Sequence, residues 1–206
     1  MKLVETLHER SVLGRRMRVL SEQLASYMPP NASVLDVGCG SGQIAQNIMG
    51  LRPDVTIRGI DVLVREGTAI PVEKYDGSRF PAADNAYDVV TFVDVLHHTE
   101  NVVELLREAG RVASQLIVIK DHTKNGPFAG ARLSMMDRVG NRRFGVHVNY
   151  NYWAREQWQQ AFGELNLRVV HWQPRVNLYG WPLNVAFDST LQFIAVLAPL
   201  ESGASK

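Results

Sequence analysis

Cysteine is nearly missing from this chain: among 206 residues only Cys39 carries a thiol. An internal disulfide is therefore excluded, and no Cys/His spacing of the metal-holding kind occurs, so no metal site is expected. An excess of one charge is missing too. Lysine and arginine total 22 against 21 aspartates and glutamates, a formal net charge of +1. No global field then draws the chain to nucleic acid or to a membrane surface. No apolar run approaches the ~18 residues of a membrane span. The opening MKLVETLHER carries acids early and lacks the apolar stretch of a secretory signal. These absences make a cytoplasmic protein without stable membrane insertion the expectation. What is present is ordinary for a globular chain: 46% apolar and 21% charged residues, enough to bury a sizeable core.

Periodicity supplies the architecture. Residues 3–28 place Leu3, Leu7, Val12, Leu13, Met17, Leu20, Leu24 and Met28 near helical spacing, stopped by Pro29-Pro30. SVLDVG reads as a buried strand and GQIAQNIMG as the helix after it. VTIRGIDV and IPVEKYD are further strands, and AYDVVTFVDVL has the continuous apolar character of a central parallel strand. NVVELLREAGRVA is an amphipathic helix leading into the strand SQLIVIKD. From His122 to Asn151 the pattern breaks, with one short helical piece expected over 129–139. YWAREQWQQAFGEL restores a helix, and LRVVHWQP and LQFIAVLAP follow as strands with no helix between them, so they could pair antiparallel. The sum is an α/β sheet with helices on both faces. One domain is expected over 1–206, with residues 1–29 as an N-terminal lid helix and 122–151 as a substrate-side cap inserted over one end of the sheet.

The informative stretch is VLDVGCGSGQ, Val34 to Gln43. Gly38 and Gly40 remove side chains where backbone can approach a ligand at the carboxyl ends of the strands, and Gly42 lets the next helix start packed closely. A dinucleotide fingerprint, G-x-G-x-x-G, needs its third glycine at Gln43; the pattern here is G-x-G-x-G. Asp61 ends the second strand, at a spacing that suits a carboxylate accepting from both hydroxyls of a ribose. Asp76-Gly77 ends the third strand, where the carboxylate could accept from an adenine amino group, and Asp94 ends the fourth. Asp36 sits inside the first, where a buried carboxylate needs donors.

These residues resemble the class I S-adenosylmethionine-dependent methyltransferases. VLDVGCGSGQ matches that family's first motif, GIDV its acidic second motif, and DNAYDVVTFVDVLHH the fourth-strand segment of the small-molecule branch. The resemblance covers residues 30–120 and implies a Rossmann-like, doubly wound, seven-stranded sheet, mostly parallel with an antiparallel last strand. It implies S-adenosyl-L-methionine as cofactor. Gly38 and Gly40 would lie along its methionine part, Asp61 on its ribose, and Asp76 with Gly77 beside its adenine; Asp36, Gly42, Val62 and Asp94 complete the expected cofactor-binding set. A cofactor without phosphates accounts for the missing glycine at Gln43.

Methyl transfer to oxygen or nitrogen requires alignment and loss of a proton, a task for a base titrating near neutrality, most often histidine. His98 follows the fourth strand, and Asp121-His122 ends the fifth, where the aspartate could orient its neighbour or cap the loop. His97 is expected to have the structural share of the His97-His98 pair, and His147 stands on the irregular segment. Arg138, Arg142 and Arg143 suit either a solvated helix end or an anion clamp, and Phe128, Tyr150, Tyr152, Trp153, Tyr179 and Trp181 an aromatic wall. The expected acceptor is a small or medium-sized molecule, methylated at oxygen, nitrogen or carbon. A non-catalytic cofactor binder of the same fold would tolerate loss of His98 and His122 together. A nicotinamide oxidoreductase wants G-x-G-x-x-G and a Tyr-x-x-x-Lys pair, and no tyrosine here has lysine four residues on. A nucleic-acid enzyme wants a basic face or an N-P-P-[YFW] tetrapeptide; the chain has no such tetrapeptide, and its net charge of +1 weighs against that class.

Overall fold

The computed structural model describes residues 2–126, 128–141, 151–181, 184 and 190–200. Helix α1, Lys2–Ser26, precedes β1, Ser33–Val37, α2, Gln43–Leu51, and β2, Thr56–Asp61. Then come β3, Val72–Lys74, β4, Tyr87–Val93, a 3-10 turn over Leu96–His98, and α3, Val102–Val112. The chain continues through β5, Ala113–His122, α4, Ala129–Asn141, α5, Arg155–Glu164, β6, Leu167–Gln173, and β7, Gln192–Pro199. The seven strands form one sheet in the order β3-β2-β1-β4-β5-β7-β6. Strand β7 runs antiparallel to both of its neighbours and every other pairing is parallel. The expected doubly wound, seven-stranded sheet with an antiparallel last strand is thus the fold.

Strand alternation explains why helices must cover both faces. Leu35, Val37, Val90, Phe92, Ile117, Ile119, Phe193 and Ala195 point to one side, where they pack with Leu105, Leu106, Trp158 and Phe162 of α3 and α5. Val34, Val89, Val118, Ile194 and Val196 point to the other, against Leu20 and Leu24 of α1 and Ala45 and Ile48 of α2. Neither face of the central strands meets water, which is why their sequences read as continuous apolar runs.

Pro29-Pro30 ends α1 as expected, and a side chain completes the stop. Arg52 donates to the carbonyls of Ala25, Met28 and Pro29 at 3.0, 2.9 and 3.2 Å, meeting acceptors that a helix end leaves open. The same guanidinium is gripped by both oxygens of Asp54 at 2.8 and 2.7 Å.

One glycine in β2 holds the two leading strands close. A Cβ on Gly59 would lie 2.3 Å from the Cys39 sulfur and 3.2 Å from Ile70 Cδ1. Burial pushes the Cys39 thiol up to about 12, so it fills space as a neutral group. Gly59→Ala is expected to destabilise the fold by about 1–3 kcal/mol through overpacking. Adding Cys39→Ala removes the nearest clashing atom and restores part of that loss. Chemical denaturation of the two single variants and the double variant checks the coupling, and strictly additive losses would refute it.

Candidate functional site

The carboxyl ends of β1, β2, β4 and β5 lie side by side in the sheet, and they gather most of the residues singled out from the sequence. The glycine loop leaves β1 with its backbone tied to β2: Gly38 N–H donates to the Ile60 carbonyl at 2.7 Å. Gly40 N–H donates to Asp61 Oδ2 at 2.8 Å, while Leu63 N–H donates to Asp61 Oδ1 at 2.9 Å. Asp61 is thus the clasp between the first and second loops.

The bareness of the loop has two causes. Gly38 and Gly42 have φ of 68° and 72°, and a Cβ on them would meet Val95 Cγ2 at 2.7 Å and Ile70 Cγ1 at 2.5 Å. Their missing side chains are demanded by protein packing. Around Gly40 the nearest such atom is Arg65 Cζ at 4.0 Å, so its face of the loop is open. Val62, after the clasp, is 52% exposed. Asp76 Oδ1 accepts from Ser78 N–H and Oγ–H and from Arg79 N–H at 2.8–2.9 Å, closing a tight turn with Gly77. Those bonds hold its carboxyl below the usual range.

Beneath the loop, Asp36 is buried and accepts from Thr91 Oγ1 at 2.7 Å, across the β1–β4 pairing. Burial pushes its carboxyl up to about 6.

The second half of the site is a buried polar cluster where β4 and β5 end. Asp94, with φ of 57°, joins Lys120 and Arg16 through its two carboxylate oxygens. Lys120 is 1% exposed. Burial alone would raise the Asp94 carboxyl, but Lys120 and Arg16 hold it well below the usual carboxylate range. Burial pulls the Lys120 ammonium down, against the attraction of Asp94. Tyr179 lies beside the Arg16 guanidinium, so α1 and the β6–β7 connection both reach this edge.

Asp121, fully buried, accepts from the Leu96 and His122 amides at 2.9 and 2.6 Å and meets His97 Nδ1 at 2.6 Å. The aspartate therefore orients His97, in the turn after β4; the neighbouring His122 ring is 3.9 Å from it. His122 Nδ1 lies 3.4 Å from His97 Nδ1. Burial, then His97 and Lys120 beside it, drive the His122 pKa well below the usual value, so the ring is neutral. Burial and the adjacent His97 push His98 down to about 4. Tyr152 stacks on His97, with ring centres 5.7 Å apart, and meets His122 edge-on. Asn151 N–H donates to the His97 carbonyl at 2.9 Å, fixing the end of the irregular segment to the histidine turn.

The structure thus joins Gly40 with Asp61, and Asp94 with Asp121, His122 and His97. It leaves Asp76 and Gly77 on the β3 side of the sheet, in their own turn. Of the aromatic candidates, Trp153 packs against the buried Trp158, whereas Phe128 and Trp181 are 83% and 85% exposed. His147, Tyr150, Arg142 and Arg143 fall outside the described residues, and Arg138 falls in α4. Lys120 and Thr91 were not foreseen. The trace of Lys120 in the sequence is a lone cation in the apolar run LIVIKD.

The strand order, the glycine loop and the acidic clasp define the class I S-adenosylmethionine-dependent methyltransferase fold. The chain belongs to the methyltransferase-domain family, whose model matches residues 7–172. It is 28% identical over 119 residues to the 27-O-demethylrifamycin SV methyltransferase of Amycolatopsis mediterranei, covering 50% of this chain and 43% of that protein. It is 22% identical over 191 residues to the mitochondrial ubiquinone biosynthesis O-methyltransferase of Saccharomyces cerevisiae, covering 81% of this chain and 60% of the relative. The chain therefore spans less than two thirds of either relative. In a complex of the Haloferax volcanii Trm112 activator with a methyltransferase, the matching structure has a TM-score of 0.65 at 13% identity, covering 90% of this chain and 91% of that one. That likeness is one of fold. No helix among the described residues is long and apolar enough to cross a membrane.

The burial of Asp36 yields a signed expectation. Its folded value of about 6 exceeds the ordinary 3.8, so the folded state holds this proton more tightly than the unfolded chain. The stability it contributes is present below pH ~4 and is lost as pH rises through ~6. Asp36→Asn keeps an acceptor for Thr91 and does not titrate. The stability difference, variant minus wild type, should grow by up to about 3 kcal/mol between pH 4 and 7 and then level off. Denaturant unfolding across that range measures it; a flat difference would mean that Asp36 ionises freely in the fold.

Proposed function

We propose that this chain transfers a methyl group from S-adenosyl-L-methionine to a small or medium-sized acceptor, at oxygen, nitrogen or carbon, by in-line displacement. The observation that carries the proposal is the junction of the Gly40–Asp61 clasp with a buried histidine–carboxylate cluster along one sheet edge of a methyltransferase-family fold. The residues suit the cofactor. Gly40 offers open backbone, and Asp61 keeps lone pairs on both oxygens for ribose hydroxyls after accepting its two amide bonds. Val62 is exposed beside it for the adenine face. Gly38 and Gly42 set the loop's path, Asp36 supports it from below, and Asp76 with Gly77 borders the adenine end. Asp94 takes a positioning role here, since both of its oxygens already hold cations. When bound, the cofactor supplies an electrophilic methyl carbon.

The protein's remaining task is to align the acceptor, exclude water and remove a proton where the acceptor carries one. His98 and His122 are neutral and each keeps a ring lone pair, though burial makes both weaker bases than a free histidine, and Asp121 fixes the histidine turn in place. Helix α1 acts as a lid whose Arg16 reaches the site edge, and Asn151 and Tyr152, held against the histidine turn, border the substrate side. The two relatives named above for small acceptors favour an acceptor of that size over a macromolecule. The net charge of +1 agrees with a cytosolic enzyme that does not act on nucleic acid.

Asp61→Asn is expected to weaken cofactor binding about 10- to 100-fold, by loss of charge-assisted hydrogen bonds, in calorimetric titration with S-adenosylmethionine. His98→Gln and His122→Gln should bind cofactor as the wild type does. Together they should lose 10²–10⁴-fold in turnover in a labelled-methyl screen of small acceptors. Full cofactor binding with no acceptor in a broad screen would instead favour a non-catalytic binder.

A further inference from the structure

The cluster at the ends of β4 and β5 turns two ring nitrogens and a carboxylate oxygen toward one another, and the oxygen already accepts from the His122 amide at 2.6 Å. His97 Nδ1 and Asp121 Oδ1 are 2.6 Å apart, His97 Nδ1 and His122 Nδ1 3.4 Å, and His122 Nδ1 and Asp121 Oδ1 3.9 Å. A proton shared by His97 and Asp121 satisfies that pair alone. The His122 Nδ1 lone pair then faces an N–H already aimed at Asp121, and a carboxylate oxygen beyond hydrogen-bond reach. The side chains are 1%, 0% and 7% exposed, so bulk water does not supply the missing donor. Three convergent nitrogen and oxygen atoms in a dry space are the arrangement in which a cation does what a proton cannot.

We infer that His97, Asp121 and His122 form a binding site for one divalent transition-metal ion of the zinc class. Ligands of such an ion stand ~2.0–2.2 Å from it, which separates tetrahedral neighbours by ~3.4 Å. The His97–His122 spacing already has that value, and the donor atoms all lie within 4.8 Å of one another. The His97–Asp121 contact opens from its 2.6 Å as the metal replaces the proton between them. Two further features fit. The other ring nitrogen of His122 points toward Asp94 Oδ1 at 4.0 Å, the carboxylate–histidine–metal order that orients ligating imidazoles. His98, whose ring centre is 3.8 Å from that of His97, adds a ring nitrogen, Nδ1, buried without a hydrogen-bond partner among the described residues. Two histidines and one carboxylate favour zinc, cobalt or iron over magnesium or calcium, which take mostly oxygen ligands. The ligands come from positions 97, 121 and 122, so no short motif announces the site; the β4–β5 pairing assembles it.

The intact chain, stripped with chelator and then titrated with cobalt(II) alone, tests this without cofactor or acceptor, so its outcome is independent of methyl transfer. The expected result is one equivalent bound with the visible absorption of a four-coordinate site, displaced by zinc. His122→Gln should weaken binding more than 100-fold and Asp94→Asn about tenfold, as for loss of an outer partner. His171→Gln, on the exposed strand β6, should bind as the wild type does. Because a ligand variant can misfold, the unaltered protein supplies a second reading: zinc should raise its melting temperature and chelator should reverse the rise. The inference is overturned if saturating cobalt gives no such absorption, if His122→Gln binds undiminished, or if zinc leaves the melting temperature unchanged.

Discussion

The ammonium of Lys120, sealed inside the sheet, is the constraint around which the carboxyl-terminal edge of the central strands is arranged. A buried cation without a counter-charge is prohibitive, and removing one partner of a buried pair typically costs 3–5 kcal/mol. Asp94 meets that need, and to do so it takes a left-handed backbone conformation at the end of β4, with its N–H on the Lys120 carbonyl. The turn that follows is thereby aimed. Leu96 comes over Asp121, and His97 and His98 fall where the site needs them. Asp94's second oxygen recruits Arg16, so the same carboxylate that neutralises the core lysine also seats α1 across the site. The ends of β4 and β5, the histidine turn and α1 are linked through one side chain.

Polarity is otherwise rationed in this core. On the α1/α2 side of the central strands the residues are Val34, Val89 and Val118, and the polar exceptions, Asp36, Thr91 and Lys120, sit toward the carboxyl ends. Asp36 has Thr91 as a donor and no cation among its hydrogen-bond partners, which is why burial raises its carboxyl. Asp94, partly buried, and Asp121, fully buried, are held below the usual range by two cations and an imidazole respectively. Three aspartates at neighbouring strand ends thus have different proton affinities, set by partners that the β1–β4–β5 order delivers.

Elements were the most legible part of the sequence. Strands β1, β4 and β7 are buried on both faces, so their apolar runs carried a plain signal, and Pro29-Pro30 marked the end of α1. Strand β3 was anticipated over IPVEKYD yet pairs only over Val72–Lys74, because an edge strand has one neighbour to reward its extension. The site was legible as a set of strand ends and illegible as a set of pairs. Asp121 beside His122 suggested a local partnership. In the fold the carboxylate turns to His97, 24 positions earlier, because β4 and β5 lie in register with Val93 opposite Lys120. Pairing of that kind is a property of register, which periodicity does not report. Gly59 was passed over for the same reason, since its need arises from Cys39 on the adjacent strand's loop.

The glycine loop shows how packing and ligand geometry share one sequence. Gly38 and Gly42 are excluded from carrying side chains by Val95 and Ile70, so the family's spacing is here enforced from within the protein. Only Gly40, the middle glycine, faces open space, and its amide is the one that Asp61 holds. A carboxylate offers about four lone-pair directions. Asp61 uses one on each oxygen for Gly40 and Leu63, leaving one on each for a vicinal diol. The clasp therefore needs no rearrangement to receive a ribose: the bonds that close the loop also fix the carboxylate plane in which two hydroxyls would be met. A dinucleotide loop uses its second glycine to approach a pyrophosphate and its third to pack helix closely on strand, whereas here Gln43 opens α2 with its side chain directed to Gln46 and Asn47 along the helix. The doubly bonded aspartate thus presents what a nucleoside held by its sugar would require.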